Sequence, residues 1–125
     1  MIKETIIKKH INFDNDLNKF DEKLSLNIKG NNILVIGGAG TIGSSYIKQI
    51  LKYKPSKITV VDINENGLTE LTRDLRSSNL LDYNPEYITY PVNLLSETFD
   101  KIFNSDSWQV VANFSAHKHV RSEKD

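Results

Sequence analysis

The sequence contains no cysteine, which excludes disulfides, thiolate metal sites and a cysteine nucleophile, and which fits a reducing compartment. It also has no excess of either charge, because 16 Lys and Arg residues balance 16 Asp and Glu residues. Non-specific binding of nucleic acid needs clustered positive charge, so we expect no nucleic-acid partner. No apolar run approaches the ~20 residues that span a bilayer, and no signal peptide is recognisable at the N-terminus. These absences favour a cytoplasmic protein.

The 125 residues show a regular alternation of strand-like and helix-like segments. Apolar, partly β-branched runs of strand length cover 32–37, 57–62, 86–92 and 108–115, and each is consistent with a buried parallel strand. Apolar residues recur at helical spacing over 41–53, 65–76 and 96–104. This alternation predicts the α/β class, with a parallel sheet in the order 3-2-1-4 and helices on its faces.

A segment of about thirty residues precedes the first predicted strand. Phe13, Leu17, Phe20 and Leu24 are spaced so that they share one helical face. We interpret 1–30 as a helical arm, either packed on the domain or in contact with another domain or subunit. The remaining residues, 31–125, would form the main domain.

The first predicted strand leads into a glycine-rich turn and then a helix, with the spacing Gly37-x-x-Gly40-x-x-Gly43. Gly37 would allow a tight exit from the strand, Gly40 a close approach of the backbone to a pyrophosphate, and Gly43 close packing of the helix. Unpaired backbone N–H groups at a helix start attract an anion. The pattern therefore predicts a dinucleotide-binding turn of the Rossmann type.

Asp62 ends the next predicted strand, where such folds place a carboxylate that binds a ribose. That carboxylate would repel a 2′-phosphate, so NAD is favoured over NADP. Arg73 and Arg76 are interpreted as solvent-facing. The alternative is a turn without a ligand, in which Asp62 only caps the helix that follows.

These residues resemble an extended short-chain dehydrogenase/reductase. The segment Asn113-Phe114-Ser115-Ala116-His117-Lys118-His119-Val120 is similar to the "AAxKHV" segment of the CapD-like polysaccharide-biosynthesis family. Members of that family are nucleotide-sugar 4,6-dehydratases and epimerases that typically act on UDP-N-acetylglucosamine. The resemblance covers most of 28–125 and implies a Rossmann-like parallel sheet that is truncated relative to the family.

The resemblance also implies a role for individual residues. The pyrophosphate would be held by Gly37, Gly40, Thr41, Ile42 and Gly43, the ribose by Asp62 with Ile63, and the adenine region by Asn93 and Leu94. Ser115 and Ala116 would lie along the nicotinamide, and Lys118 and His119 would begin the wall that faces the substrate. The sequence departs from the family at three places. Ile36 stands where the family often has Thr, and Asn93 stands where it usually has Asp. Phe114-Ser115 replaces two small alanines.

The superfamily carries its acid/base chemistry on a Tyr and on a Lys four residues later. The one match, Tyr53-x-x-x-Lys57, contains Pro55 and falls at the sheet edge opposite the ligand side, so we interpret it as accidental. No catalytic residue is therefore assigned, and the chain is expected to lack the catalytic half. His117 and His119 have no carboxylate or cysteine at ligand spacing, so no metal site is expected.

Two functions remain open at this stage. The first is the NAD-binding part of a nucleotide-sugar dehydratase or epimerase, a lyase or isomerase of bacterial surface polysaccharide biosynthesis, with a UDP-sugar as substrate. The second is a module that binds a dinucleotide without catalysis. Whether the protein forms a homo-oligomer is not decided by the sequence.

Overall fold

The computed structural model describes residues 27–115. Four strands form one parallel sheet in the order β3-β2-β1-β4, and three helices connect them. The elements are β1 (Asn32–Ile36), α1 (Thr41–Leu51), β2 (Lys57–Val61), α2 (Glu65–Ser77), β3 (Glu86–Tyr90), α3 (Glu97–Asn104) and β4 (Val110–Asn113). The prediction of a Rossmann-like α/β sheet with the order 3-2-1-4 is confirmed.

The two faces of the sheet have separate hydrophobic cores because side chains alternate along each strand. On one face, Ile33 and Val35 of β1 pack with the buried sides of α1 and α2. On the other face, Leu34 and Ile36 pack against α3, whose one fully buried side chain is Phe99. Helices therefore cover both faces, and the polar turns are left at the two ends of the sheet.

Strand β3 differs from the buried strand that its sequence suggests. Its residues are only half-buried, and Glu86 is exposed. β3 pairs only with β2 and forms one edge of the described sheet, and it is less buried than β4 at the other edge. Pro85 and Pro91 flank the strand, and proline at such places limits further pairing along an edge.

Helix α1 ends at Leu51, two residues before the predicted end at Tyr53. Lys54 has a φ of 59°, in the left-handed region, which turns the chain before Pro55 is reached. The fourth strand is also shorter than predicted, since only 110–113 pair with β1.

Residues 1–26 of the predicted arm, including Phe13, Leu17, Phe20 and Leu24, lie outside the described residues. Ile28, near the end of the predicted arm 1–30, is buried in the core on the α1 side of the sheet. Within 27–115, no helix is long and apolar enough to cross a membrane.

Candidate dinucleotide-binding site

A groove of about 260 Å³ opens at the carboxyl ends of the strands. It lies beside the junction of β1 and β4, where the strand order reverses, since β2 and β3 lie on one side of β1 and β4 lies on the other. In open α/β sheets this switch point is where ligands bind. The groove is lined by Ile36, Gly37, Gly40, Val61, Asp62, Ile63, Val92, Leu94, Phe114 and Ser115.

The residues 37–40, which we call the glycine loop, connect β1 to α1. Gly37 has a φ of 76°, a conformation that side chains other than glycine rarely adopt. A β-carbon on it would also lie 2.7 Å from the backbone nitrogen of Ser115. Glycine at this position therefore serves both the turn and the close approach of the chain that leaves β4.

The other glycines are required for different physical reasons. A β-carbon on Gly43 would lie 2.3 Å from the carbonyl oxygen of Gly37, so this glycine lets α1 start directly against the loop. A β-carbon on Gly38 would lie 2.3 Å from a methyl group of Val60. By contrast, a β-carbon on Gly40 would meet only the Gly37 oxygen at 3.7 Å. Gly40 is exposed and lines the groove, which leaves the backbone open to a ligand.

The start of α1 differs from the starts of the other two helices. The side chains of Asn64 and Ser96 cap α2 and α3, and each of those helices has an acidic residue in its first turn. Helix α1 begins after Gly40, with no side-chain cap and no acidic residue in its first turn. The partial positive charge at the N-terminus of α1 is therefore not compensated by side chains of its own first turn. This property favours binding of an anion there.

Asp62 follows β2 and is in contact with the glycine loop. One carboxylate oxygen accepts a hydrogen bond from the backbone N–H of Ala39 at 2.9 Å, and the other accepts one from Asn64 N–H at 2.9 Å. Each oxygen keeps a further lone pair for a ligand. The N-cap of α2 is Asn64 and not Asp62, so the carboxylate is not a simple helix cap.

The far end of the groove is apolar. The side chain of Ile63 is 57% exposed, an unusual state for isoleucine. Leu94 is buried and forms part of the groove wall. Leu95 is also 57% exposed. Asn93 is exposed, and its side-chain oxygen accepts a hydrogen bond from Leu95 N–H, which fixes the turn after β3.

Six of the predicted cofactor residues line the groove: Gly37, Gly40, Asp62, Ile63, Leu94 and Ser115. Thr41 and Ile42 lie in the exposed first turn of α1. Gly43 allows α1 to start against the glycine loop, and Asn93 fixes the turn after β3. Ala116, Lys118 and His119 lie outside the described residues. Val61 and Val92 also line the groove, but the sequence did not lead us to predict them as site residues. The available signal was their position at the ends of predicted strands.

Phe114 is the bulky residue at a position where the resemblance described above implies alanine. Its ring packs on Tyr46 of α1, with ring centroids 5.2 Å apart, and its backbone N–H donates to Ile36. Burial raises the pKa of the Tyr46 hydroxyl, which keeps it neutral. The aromatic pair therefore uses the extra volume of Phe114 to join β4 to α1.

The Tyr53-x-x-x-Lys57 match lies away from the groove. Lys57 starts β2, at the amino ends of the strands, and forms ion pairs with Asp106 at 2.6 Å and Glu86 at 3.7 Å. Arg73 and Arg76 are exposed on α2, and Arg73 pairs with Glu70. The described part of the chain holds no group of three or more potential metal ligands.

The sheet order and the glycine loop between β1 and α1 define a Rossmann-like α/β fold. Residues 33–124 match the family described as polysaccharide biosynthesis protein, and the chain belongs to that family. It is 28% identical to the capsular polysaccharide biosynthesis protein CapD of Staphylococcus aureus, over 78% of this chain and 16% of CapD. A shorter segment of 52 residues is 46% identical to the uncharacterized membrane protein MJ1061 of Methanocaldococcus jannaschii, covering 42% of this chain and 16% of MJ1061.

Solved structures share the fold. Pen from Bacillus thuringiensis superposes with a TM-score of 0.58 and 28% identity, over 75% of this chain and 28% of Pen. The Bordetella bronchiseptica enzyme WbmF, solved with NAD⁺ and UDP, superposes with a TM-score of 0.52 and 18% identity, over 78% of this chain and 29% of WbmF. The chain thus spans about a sixth of the length of the curated relatives that it matches.

Proposed function

We propose that this chain binds the adenosine and pyrophosphate portions of NAD for an enzyme that modifies nucleotide sugars. The observation that carries the proposal is the convergence of three features on one groove: the glycine loop, the uncapped start of α1 and the Asp62 carboxylate. The first two suit a pyrophosphate and the third suits ribose hydroxyls.

The residues of the groove fit the cofactor. The open space beside Gly40 would take the pyrophosphate, whose charge the backbone N–H groups of the first turn of α1 would balance. The oxygens of Asp62 would accept hydrogen bonds from the adenosine ribose. The exposed side chain of Ile63 and the wall at Leu94 would enclose the adenine, which gives an exposed isoleucine an apolar partner.

The same groove supports NAD over NADP. Asp62 is the one charged residue among those that line it, and its charge opposes a 2′-phosphate. Neither Arg73 nor Arg76 is among the lining residues. No positive side chain of the described groove would therefore compensate the additional phosphate.

The family suggests a 4,6-dehydratase or epimerase acting on a UDP-N-acetylglucosamine-type sugar in the biosynthesis of bacterial surface polysaccharide. WbmF, with its bound NAD⁺ and UDP, supports a nucleotide-sugar partner. In a dehydratase, the nicotinamide would accept hydride from sugar C4 and return it to C6, with loss of water across C5 and C6. The part of this chain would be to orient the cofactor, with Ser115 beside its nicotinamide half and Lys118 and His119 towards the sugar.

A module that binds a dinucleotide without catalysis is the second candidate. The observation that favours it is that residues 27–115 bring no Tyr-Lys pair to the groove, since Lys57 is held by Asp106 and Glu86. A longer gene product that contains a Tyr-x-x-x-Lys pair on a helix and releases water from a UDP-sugar would exclude this candidate.

Isothermal titration calorimetry of this chain tests the proposal. We expect heat of binding with NAD, at least tenfold weaker binding of NADP, and a rise in melting temperature with NAD because the ligand binds only the folded state. Absence of both heat and thermal shift at millimolar NAD would overturn the proposal. Equal or tighter binding of NADP would overturn the assignment of Asp62. Titration of UDP-sugars into the NAD complex would then test the substrate class.

A further inference from the structure

Asp62 and the glycine loop are joined by a direct hydrogen bond, although 23 positions separate Asp62 from Ala39. The Ala39 N–H donates to one carboxylate oxygen at 2.9 Å, and the contact is partly buried. A hydrogen bond to a charged acceptor is stronger than one between neutral groups. The residue expected to bind ribose therefore also fixes the backbone of the phosphate-binding loop.

A second contact reaches the same loop residue from α2. A β-carbon on Gly67 would lie 2.9 Å from the β-carbon of Ala39, and 2.9 Å and 3.0 Å from side-chain atoms of Asn64. Glycine in a helix costs about 1 kcal/mol relative to alanine, so its presence in the first turn of α2 needs a reason. The geometry supplies it, because only a residue without a β-carbon lets the start of α2 lie against Ala39.

The two contacts belong to one network. Asp62 accepts from Asn64 N–H, and the side chain of Asn64 accepts from Gly67 N–H at 2.9 Å as the cap of α2. The carboxylate thus connects the glycine loop to the capped turn of α2, and Gly67 provides the space in which they meet.

We propose that Asp62 and Gly67 are positioning residues for the pyrophosphate: they hold Ala39, and with it the glycine loop, in the anion-binding conformation. This inference rests on the proposed function. It adds that Asp62 contributes to nucleotide affinity even for ligands that have no ribose hydroxyl groups to offer. Gly67, which lines no part of the groove, contributes through the same loop.

The test compares ADP with 2′,3′-dideoxy-ADP, which keeps the pyrophosphate but lacks the ribose hydroxyls. The N–H groups of Ala39 and Asn64 bond different oxygens of Asp62, and Asp62→Asn replaces one of these oxygens with an NH₂ group, which cannot accept; in the same side-chain position the variant therefore loses one of the two bonds. If Asp62 only bound ribose, this variant would weaken ADP and leave dideoxy-ADP unchanged. We expect it to weaken dideoxy-ADP as well, by about tenfold.

Gly67→Ala provides an independent arm, because alanine favours a helix and any loss must come from the contacts of the added methyl group with Ala39 and with the Asn64 side chain of the same network. We expect it to weaken ADP and dideoxy-ADP equally, by about fivefold, and to leave their affinity ratio unchanged. The matched control is Asn66→Ala, which places alanine at the adjacent exposed position of the same turn and should change neither affinity by more than about twofold.

The following results would overturn the inference or separate it from the proposed function. Unchanged affinity for dideoxy-ADP in Asp62→Asn, or Gly67→Ala behaving like Asn66→Ala, would overturn it. If Asp62→Asn does not fold, as judged by circular dichroism, the Gly67→Ala arm decides. If the unmodified protein binds no ADP, the proposed function fails, and amide hydrogen exchange at Ala39 decides: faster exchange in Gly67→Ala supports the positioning role, and unchanged exchange overturns it.

Discussion

The backbone nitrogen of Ser115 lies where the side chain of residue 37 would begin: a β-carbon on Gly37 would be 2.7 Å from that nitrogen. Two chain segments that leave neighbouring parallel strands, β1 and β4, are thereby held in contact at the mouth of the groove. Ser115 N–H is itself fixed by a 2.8 Å hydrogen bond to the side-chain oxygen of Asn113. At this part of the groove wall the backbone of Gly37 therefore packs directly against the backbone of Ser115. The shape of the wall depends on the absence of a side chain at position 37.

We expect Gly37→Ala to destabilise the protein by about 3 kcal/mol, because the left-handed conformation and the clash with the β4 segment both add cost. Gly30→Ala is the matched control. Gly30 has a similar φ of 72° but no atom within 4 Å of a β-carbon, so it should lose only about 1 kcal/mol. Urea unfolding of both variants measures the difference. Equal losses would show that backbone strain alone, and not the contact with Ser115, requires glycine at position 37.

Local sequence patterns were sufficient to predict the order of elements and the position of the glycine loop. Apolar runs alternate with helical periodicity, and Gly37, Gly40 and Gly43 stand between a strand and a helix. The exposure of β3 was missed because the run Glu86–Tyr90 has the composition of a buried strand. Ile88 is half-buried because of what packs around β3 in the folded sheet, a property of the whole fold that the strand's own composition does not show.

The contacts that shape the site could not be predicted because they join residues distant in sequence. Gly38 must be glycine because Val60 and Ile47 fill the space around it, and neither neighbour is signalled by the motif. Gly67 looks like an unfavourable residue in a helix until Ala39 is placed beside it. Asp62 was predicted for its ribose chemistry, but its bond to Ala39 follows from the way that α2 and the loop pack together.

Removing the side-chain caps of α2 and α3 should lower the stability of the protein by similar amounts but should change the affinity for ADP differently. Asn64→Ala and Ser96→Ala each remove a side chain that accepts from the third residue of its helix. Each should lose about 1 kcal/mol of stability. Only Asn64→Ala should also weaken ADP binding, because of these two helices only α2 contacts Ala39 of the glycine loop. Unfolding curves and ADP titrations check both statements, and similar ADP affinities in the two variants would contradict the second.

Phe99 is the fully buried side chain by which α3 is anchored to the sheet. Phe99→Ala should lose about 4 kcal/mol, since it removes a large apolar group and leaves a cavity. Phe103, whose ring lies 6.0 Å from that of Phe99, is partly exposed, so Phe103→Ala should lose less than half as much. Chemical denaturation of the two variants makes the comparison, with Phe99→Leu in reserve if the alanine variant does not fold. A larger loss for Phe103→Ala would contradict this account of the α3 face.

The ion pair between Lys57 and Asp106 joins the start of β2 to the turn before β4, across the amino end of β1. The hydrogen bond from Lys57, followed by that from Ser107 N–H, lowers the pKa of Asp106 below its usual 3.8. A carboxyl whose pKa is lower in the folded state stabilises the protein above the unfolded pKa, and this contribution is lost as pH falls through the folded pKa. The pair should therefore contribute at neutral pH and fade below about pH 4.

Asp106→Asn should lower the free energy of unfolding by about 1 kcal/mol at pH 7, a modest value because both side chains are partly exposed. The difference from the unmodified protein should shrink as the pH falls from 4 towards 2. Asp82→Asn, at an exposed position in the turn before β3, controls for the loss of one negative charge. Urea unfolding at a series of pH values measures the difference. A destabilisation by Asp106→Asn that is the same at pH 7 and pH 2.5 would show that the carboxylate charge does not stabilise this end of the sheet.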